Sequence, residues 1–325
     1  MKIVFMGTPD IAKECLSAIY DAGYDILAVV TNPDKPSGRG MKMEMSPVKE
    51  FALEKNLKIY QPLKVRKNEE FLSEIRNIHP DIIVVVAYGK ILPQELLDIP
   101  TYGAINVHGS LLPKLRGAAP IQWAVLNGDK ETGITTMFMD AGMDTGDMIL
   151  KEKVAIGENE TTGELWEEMS KVGAQLIVKT IAKLDDVLPK LPEDYTFEDI
   201  KQLMGATKQD DSEATLAPML DKEMSKINWN ESASKIHNLV RGLNPFMGTY
   251  TFLPNGKKIK IWKTVVSDGS GKPGEIIVSD KKQGLKIMTG DKAIDVLEIQ
   301  GENSKKMDIK SFLNGNTIEV GTILE

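Results

Sequence analysis

The chain has 325 residues, 42% of them hydrophobic and 27% charged, an ordinary globular composition and enough length for two domains. Its single cysteine, Cys15, excludes an internal disulfide framework and any multi-thiolate metal site, and it fits a reducing cytoplasm. The net charge of −7 is uneven: residues 207–325 hold 17 Lys and Arg against 16 Asp and Glu, residues 1–206 hold 23 against 31, so any nucleic-acid partner must be met by a local basic surface.

Lys2–Met6 reads as an apolar strand, with Thr8 suited to a helix N-cap and Pro9 to the first position of a helix reaching about Ala22. This start lacks the long apolar core and cleavage site of a signal peptide, and no run approaches the roughly 20 apolar residues of a membrane helix. Asp25–Val30 is a second strand. Thr31–Pro47 reads as a long loop, a length typical of functional or unstructured segments. Helices are expected at Pro47–Asn56, Asn68–Asn77 and Ala119–Leu126, and strands at Asp81–Ala87 and Gly103–His108. Asp81–Ala87 is apolar at nearly every position, as in a central parallel strand covered on both faces. Gly133–Met139 and Met148–Val154 form a last pair of strands before a long helix over Thr161–Leu184. The alternation predicts a doubly wound, mostly parallel α/β sheet. Gly7-Thr8-Pro9-Asp10 is not GxGxxG, so a dinucleotide site is poorly supported.

Beyond Asp185 the pattern loosens around Pro189 and Pro192. The expected organisation is a catalytic domain over 1–189, a linker over 190–206 and a second domain over 207–325. The last part carries a helix at Ser232–Arg241 and short strands at Thr249–Leu253, Lys258–Lys263, Glu275–Ser279, Leu285–Thr289 and Ala293–Ile299, the signature of a small OB-like β-barrel.

The chemistry centres on Asn106 and His108. Side chains alternate along a strand, so both point to one face, with Cα atoms roughly 6.5–7 Å apart. They sit at the carboxyl end of the strand, where open α/β sheets bind ligands. An amide donor beside an imidazole suits acyl transfer, one group stabilising an oxyanion and the other moving protons. A hydrogen-bonded structural Asn and a core His explain the pair equally well. The stiff turn Gly109-Ser110-Leu111-Leu112-Pro113 and the loop Arg116–Pro120 suit a flat aromatic ligand or an ordinary βα connection. The turn Met139–Asp147 offers carboxylates to orient His108, or only turn chemistry; His108 with Asp140, Asp144 and Asp147 is a weak metal set. Gly38-Arg39-Gly40, with Lys35 and Lys42, reads as an induced-fit phosphate contact or a solvated loop. Cys15 is read as a core thiol, and His79 and His237 have no evident partner.

INVHGSLLPKLRGAAPIQWA at residues 105–124, followed by MDAGMDTGDM at 139–148, closely resembles the methionyl-tRNA formyltransferase family. The resemblance spans nearly the whole chain: FMGTPD at 5–10, PDKPSGRG at 33–40, VVVAYGKILP at 84–93, ATLAPMLDKEMSKINW at 214–229 and LNPFMGTY at 243–250. It implies formyl transfer from 10-formyltetrahydrofolate to the amino group of initiator Met-tRNA for translation initiation, without a metal, by a Rossmann-like catalytic domain and an OB-like tRNA-binding domain. By position, Asn106, His108 and Asp144 match the family's catalytic triad, and Ser110, Leu111, Leu112 and Pro113 its folate-binding turn. Arg39 matches the Arg of the loop that contacts the tRNA acceptor end, with Lys35 and Lys42 beside it. Met41 and Glu44 stand where such loops are often more basic. Lys257, Lys258, Lys260 and Lys263 are candidates for tRNA contact, or lysines guarding a barrel edge. A cytoplasmic monomer with no membrane partner is expected. Formylation of glycinamide ribonucleotide or an amino-sugar nucleotide, hydrolysis of the folate, and a non-catalytic RNA-binding module are the competing readings.

Overall fold

The computed structural model describes residues 1–37 and 42–325. The chain divides into two compact units that interleave in sequence. The first comprises Met1–Pro120, Gly133–Val154 and Trp166–Pro218; the second comprises Ile121–Thr132, Ala155–Leu165 and Met219–Glu325.

The chain begins with β1 (Lys2–Gly7), α1 (Asp10–Asp21), β2 (Asp25–Val30), a small pair β3 (Lys35–Ser37) and β4 (Lys42–Glu44), α2 (Pro47–Glu54), β5 (Ile59–Tyr60) and α3 (Glu69–Asn77). It continues with β6 (Ile82–Val86), α4 (Gln94–Leu97), β7 (Ala104–His108), α5 (Pro120–Asn127), β8 (Glu131–Phe138), β9 (Met148–Ala155), α6 (Thr162–Val187) and α7 (Phe197–Leu203). The main sheet runs β5-β2-β1-β6-β7-β8-β9. β5, β2, β1, β6 and β7 pair in parallel, and β7 pairs antiparallel with β8. The strand order reverses between β1 and β6. The carboxyl ends of these central strands therefore border the crevice where such sheets bind ligands.

Both sheet faces are covered. On one, Val4, Met6, Ile83 and Val85 pack against Phe71, Leu72 and Ile75 of α3 and Leu96 and Leu97 of α4. On the other, α6 packs on β7 at Gly173, where even a Cβ would make ordinary contact, 3.5 Å from Val107 Cγ1 and 3.7 Å from Cys15 Sγ. Each fully buried aliphatic side chain contributes about 1.5–3 kcal/mol of transfer free energy. Cys15 is fully buried, as read from the sequence, and burial pushes its thiol far above the ordinary range.

Three local expectations change. Thr8 does not cap α1, whose N-cap is Pro9 with no side-chain cap; its hydroxyl instead accepts from Asn32 Nδ2 at 3.0 Å. The long loop after β2 contains the antiparallel pair β3–β4. Residues 190–206, read as a linker, contain α7, started by a reciprocal capping box between Thr196 and Asp199 and anchored by buried Ile200 and Met204. Phe197 of this helix meets Phe138 edge-on at 5.2 Å between centroids.

The second unit is built on α8 (Ala233–Leu243), β10 (Thr249–Phe252), β11 (Lys258–Ser267), β12 (Ile276–Asp280), β13 (Gly284–Met288), β14 (Ala293–Gln300), β15 (Met307–Asp308) and α9 (Ile309–Gly315). The antiparallel sheet runs β10-β11-β14-β13-β12, with β15 on β14. Its outer strands are tied by residues 321–325: Phe252 and Glu325 exchange two backbone hydrogen bonds of 3.0 Å, and Leu324 N donates to Gly274 O at 2.9 Å. The core gathers Ile236 and Val240 of α8 with Ile261, Ile287, Ile294 and Ile299. His237 has the partners its sequence context hid: Nδ1 lies 3.0 Å from Thr264 Oγ1, and Nε2 lies 3.1 Å from Glu158 O. Arg241 donates from Nη1 to the carbonyls of Gly157 and Glu160. Among the described residues no helix is long and apolar enough to cross a membrane.

Candidate active site

β7 is buried along its whole length, and the polar pair sits in its second half: Asn106 is 8% exposed and His108 5%. Asn106 is in register with Val85 of β6 and Met137 of β8, so it shares their face, while Val107 lies against α6 on the other. This is the alternation read from the sequence. Among the described residues, no hydrogen bond is made by the Asn106 amide. It is not among the fully buried polar atoms that lack a partner, so the unpaired amide keeps some access to solvent.

His108 is held on both sides. Nε2 lies 3.0 Å from Leu115 O, an acceptor, so Nε2 carries the proton. Nδ1 faces Asp144 Oδ1 at 3.6 Å, beyond hydrogen-bond distance. The other Asp144 oxygen accepts from Gly117 N at 2.8 Å. Asp144 itself adopts a left-handed backbone, φ 55°, a region aspartate enters more readily than most side chains. The structure thus brings Asn106, His108 and Asp144 together. Asp140 and Asp147 turn elsewhere: Asp140 accepts from Gly142 N and Thr145 Oγ1, and Asp147 pairs with Lys201 at 2.9 Å. The four-residue metal set considered from the sequence is therefore not assembled, and among the described residues no group of three such side chains gathers for a metal.

The turn after β7 is rigid for a chemical reason. Ser110 Oγ donates to Lys114 O at 2.6 Å, and Thr135 Oγ1 donates to Ser110 O at 2.7 Å while accepting from Leu112 N at 3.1 Å. Lys151 Nζ donates to Leu112 O at 2.6 Å. Ser110, Leu112 and Pro113 are buried; Leu111 is the partly exposed member. Much of the polar backbone of this turn is thus already engaged within the protein, leaving shape as its principal offering to a ligand.

Further along, Arg116 is 8% exposed, and its guanidinium donates from Nε to Gln209 Oε1 at 3.0 Å and from Nη2 to Asp211 Oδ1 at 2.8 Å. Arg116 also exchanges backbone bonds with Thr215 and Ala217 at 2.8 and 2.7 Å. Residues 209–217 therefore strap the loop that carries Gly117. Sequence reading singled out none of Gln209, Thr135, Lys151 or Thr215. The one available signal was a buried-type Arg next to a glycine in the resemblance segment.

The tRNA candidates are placed unequally. Arg39 lies outside the described residues, and so does the side chain of Lys42. Lys35 is exposed, near enough to Lys90 that burial first and Lys35 second hold Lys90 below the ordinary lysine range. In the second unit, Tyr250 faces Lys260 and Phe252 faces Lys258 across β10–β11. Lys258 Nζ sits 3.5 Å from the Tyr250 ring centroid and Lys260 Nζ 5.2 Å from that of Trp262. Lys258 and Lys260 thus share an aromatic-lined face. Lys263 instead pairs with Glu164 at 3.7 Å, and Lys257 is exposed in the preceding turn.

Residues 1–181 match the family model for formyl transferase, and residues 219–317 match that for the formyl transferase C-terminal domain. The methionyl-tRNA formyltransferase of Caldanaerobacter subterraneus subsp. tengcongensis is 50% identical, covering 100% of both chains. That of Clostridioides difficile is 48% identical, again over 100% of both. The solved N-formyltransferase of Helicobacter canadensis, in complex with folinic acid and dTDP-3-aminofucose, has a TM-score of 0.65 at 20% identity. It covers 91% of this chain and 99% of its own, a likeness of fold.

Proposed function

The chain belongs to the methionyl-tRNA formyltransferase family, and we propose that its buried Asn106, His108 and Asp144 carry that family's reaction. The enzyme transfers the formyl group of 10-formyltetrahydrofolate to the free amino group of methionyl initiator tRNA, for translation initiation. The observation that supports this assignment of residues is the unpartnered Asn106 amide beside an imidazole backed by a carboxylate.

A free α-amino group titrates near pH 7.7–8.0, roughly, so a useful neutral fraction exists at pH 7 without a strong base. Its nitrogen attacks the formyl carbon, and the carbonyl π electrons move onto oxygen. Asn106 donates a hydrogen bond to that oxyanion. His108 helps carry the proton from the attacking nitrogen towards folate N10, and collapse of the intermediate breaks the carbon–N10 bond. Asp144 positions the ring. Both ring nitrogens have protein neighbours, so His108 reaches substrate by exchanging its bond to Leu115 O. Catalytic hydrogen bonds often settle only in the Michaelis complex. The Ser110–Pro113 turn shapes the folate side of the site. Arg39, flanked by Lys35 and Lys42, contacts the acceptor end, and the C-terminal domain adds salt-sensitive tRNA affinity. The enzyme works as a cytoplasmic monomer.

Formylation of initiator and elongator Met-tRNA with 10-formyltetrahydrofolate tests the reading. Preferential use of the initiator is expected; transfer only to water or to a small amino nucleotide refutes it. Arg39→Ala should impair use of Met-tRNA while sparing folate binding, and unchanged KM and kcat for Met-tRNA would remove Arg39 from the acceptor site.

A further inference from the structure

We infer that Gln209 is a positioning residue for the Asp144 turn, an inference that rests on the catalytic assignment of Asp144 and His108. Gln209 lies in the strap, between Thr207, which exchanges backbone bonds of 2.9 Å with Met148, and the 3-10 turn Asp211–Glu213. Its Nε2 donates to Asp144 O at 2.7 Å and Gly146 O at 2.8 Å, and its Oε1 accepts from Arg116 Nε at 3.0 Å. The carboxamide thereby uses both hydrogens and its oxygen on two different loops.

Those two loops fix the carboxylate that faces His108. Asp144 is held by its side chain, through Gly117 N, and by its main chain, through Gln209. Gly117 directly follows Arg116, whose guanidinium contacts the same Gln209. Gln209 therefore closes a ring of contacts through Arg116, Gly117 and Asp144. These contacts also hold the left-handed turn at Asp144, a region aspartate tolerates. No other side chain fits the requirement. Glutamate offers no hydrogens to two carbonyls, lysine cannot accept from a guanidinium, and asparagine is one methylene short.

Loss of Gln209 affects rate more than binding. Gln209 reaches Asp144 and Gly146 through their carbonyls, and its loss allows the Asp144 carboxylate to drift relative to His108. A misplacement of about 1 Å costs on the order of 100-fold in rate.

The test uses the full-length enzyme with 10-formyltetrahydrofolate and initiator Met-tRNA, comparing Gln209→Ala, Gln209→Glu and Asp144→Asn singly, and Gln209→Ala combined with Asp144→Asn. Gln209→Glu keeps the Arg116 contact and so guards against a variant that fails to fold. Both Gln209 variants are expected to lose kcat by on the order of 10- to 100-fold, with KM for both substrates nearly unchanged. In the Asp144→Asn background, Gln209→Ala should cause no further loss, since its effect passes through Asp144. A wild-type kcat in either Gln209 variant, a rise in KM alone, or a loss that multiplies in full with that of Asp144→Asn overturns the inference while leaving the catalytic assignment standing. A wild-type kcat in Asp144→Asn overturns the assignment itself, and the Gln209 role with it.

Discussion

Replacing Asn106 by alanine separates catalysis from folding more cleanly than any other change at this site. Its amide has no hydrogen-bond partner among the described residues, so truncation orphans none of them. The expected stability change is within about 1 kcal/mol, because net losses of that size need a bond to be broken. Removal of an oxyanion donor, in contrast, costs about 10²–10³ in turnover, or about 2.7–4 kcal/mol of barrier. His108→Ala is the contrasting control. It leaves Leu115 O without its donor in a buried position, which costs about 1–3 kcal/mol of stability besides any catalytic loss. The assay is single-turnover formyl transfer with both substrates saturating, alongside thermal melting and folate binding. Asn106→Ala should melt as the wild type does, bind folate comparably and react at least about 100-fold more slowly. A single-turnover rate close to wild type, or a rate loss that merely follows a fall in melting temperature, refutes the oxyanion role.

Gly117→Ala should lower both melting temperature and kcat: its φ is +126° and a Cβ would lie 2.7 Å from Ala217 O, so the strap and the amide that holds Asp144 are displaced together, at a cost of about 1–3 kcal/mol for the backbone alone. Lys258→Ala and Lys260→Ala should each reduce the salt dependence of tRNA binding by about one unit of log–log slope. Lys263→Ala should leave that slope unchanged, since Glu164 already neutralises it; equilibrium binding titrated against salt reads this. His237 has a pH consequence. Burial lowers its folded-state value below the ordinary 6.5, so the unfolded chain binds the extra proton first. The stability this provides is present above pH 6.5 and lost as pH falls below it. Melting followed from pH 7.5 to about 5.5 should show a decline that His237→Gln lessens; an identical slope in the variant would show that other groups carry it.

The parts legible in the sequence are those whose information is local. Ile82–Val86 announces a central strand because every side chain in it is apolar and buried. Asn106 and His108 announce a shared face because a strand alternates with a period of two residues. Asp144 could be named by resemblance, but not its left-handed backbone. The strap was unreadable, since Asp211 and Gln209 meet Arg116 across 95 and 93 residues of chain and leave no periodic trace. His237 was opaque for a related reason: one of its partners is a main-chain carbonyl 79 residues away, and carbonyls have no sequence signature. The helix inside the expected linker did have one. Thr196-Phe197-Glu198-Asp199 is a capping sequence, overshadowed by the nearby prolines and charges.

The interleaving of the two units constrains how such a protein can be inherited in pieces. Arg241 and His237 in α8 take their hydrogen-bond partners from Gly157, Glu158 and Glu160, in a stretch encoded well upstream of the rest of the second unit. A recombination crossover anywhere in 166–218 would deliver that unit with a buried guanidinium and imidazole facing a stranger's sequence. Those contacts are to main-chain oxygens, which any residue other than a differently folded one can supply. Exchange between relatives is therefore filtered by the backbone path of residues 155–165 as well as by the side chains that seat it, since buried Thr162 donates to Gly242 O and a Cβ at Gly163 would meet Pro245.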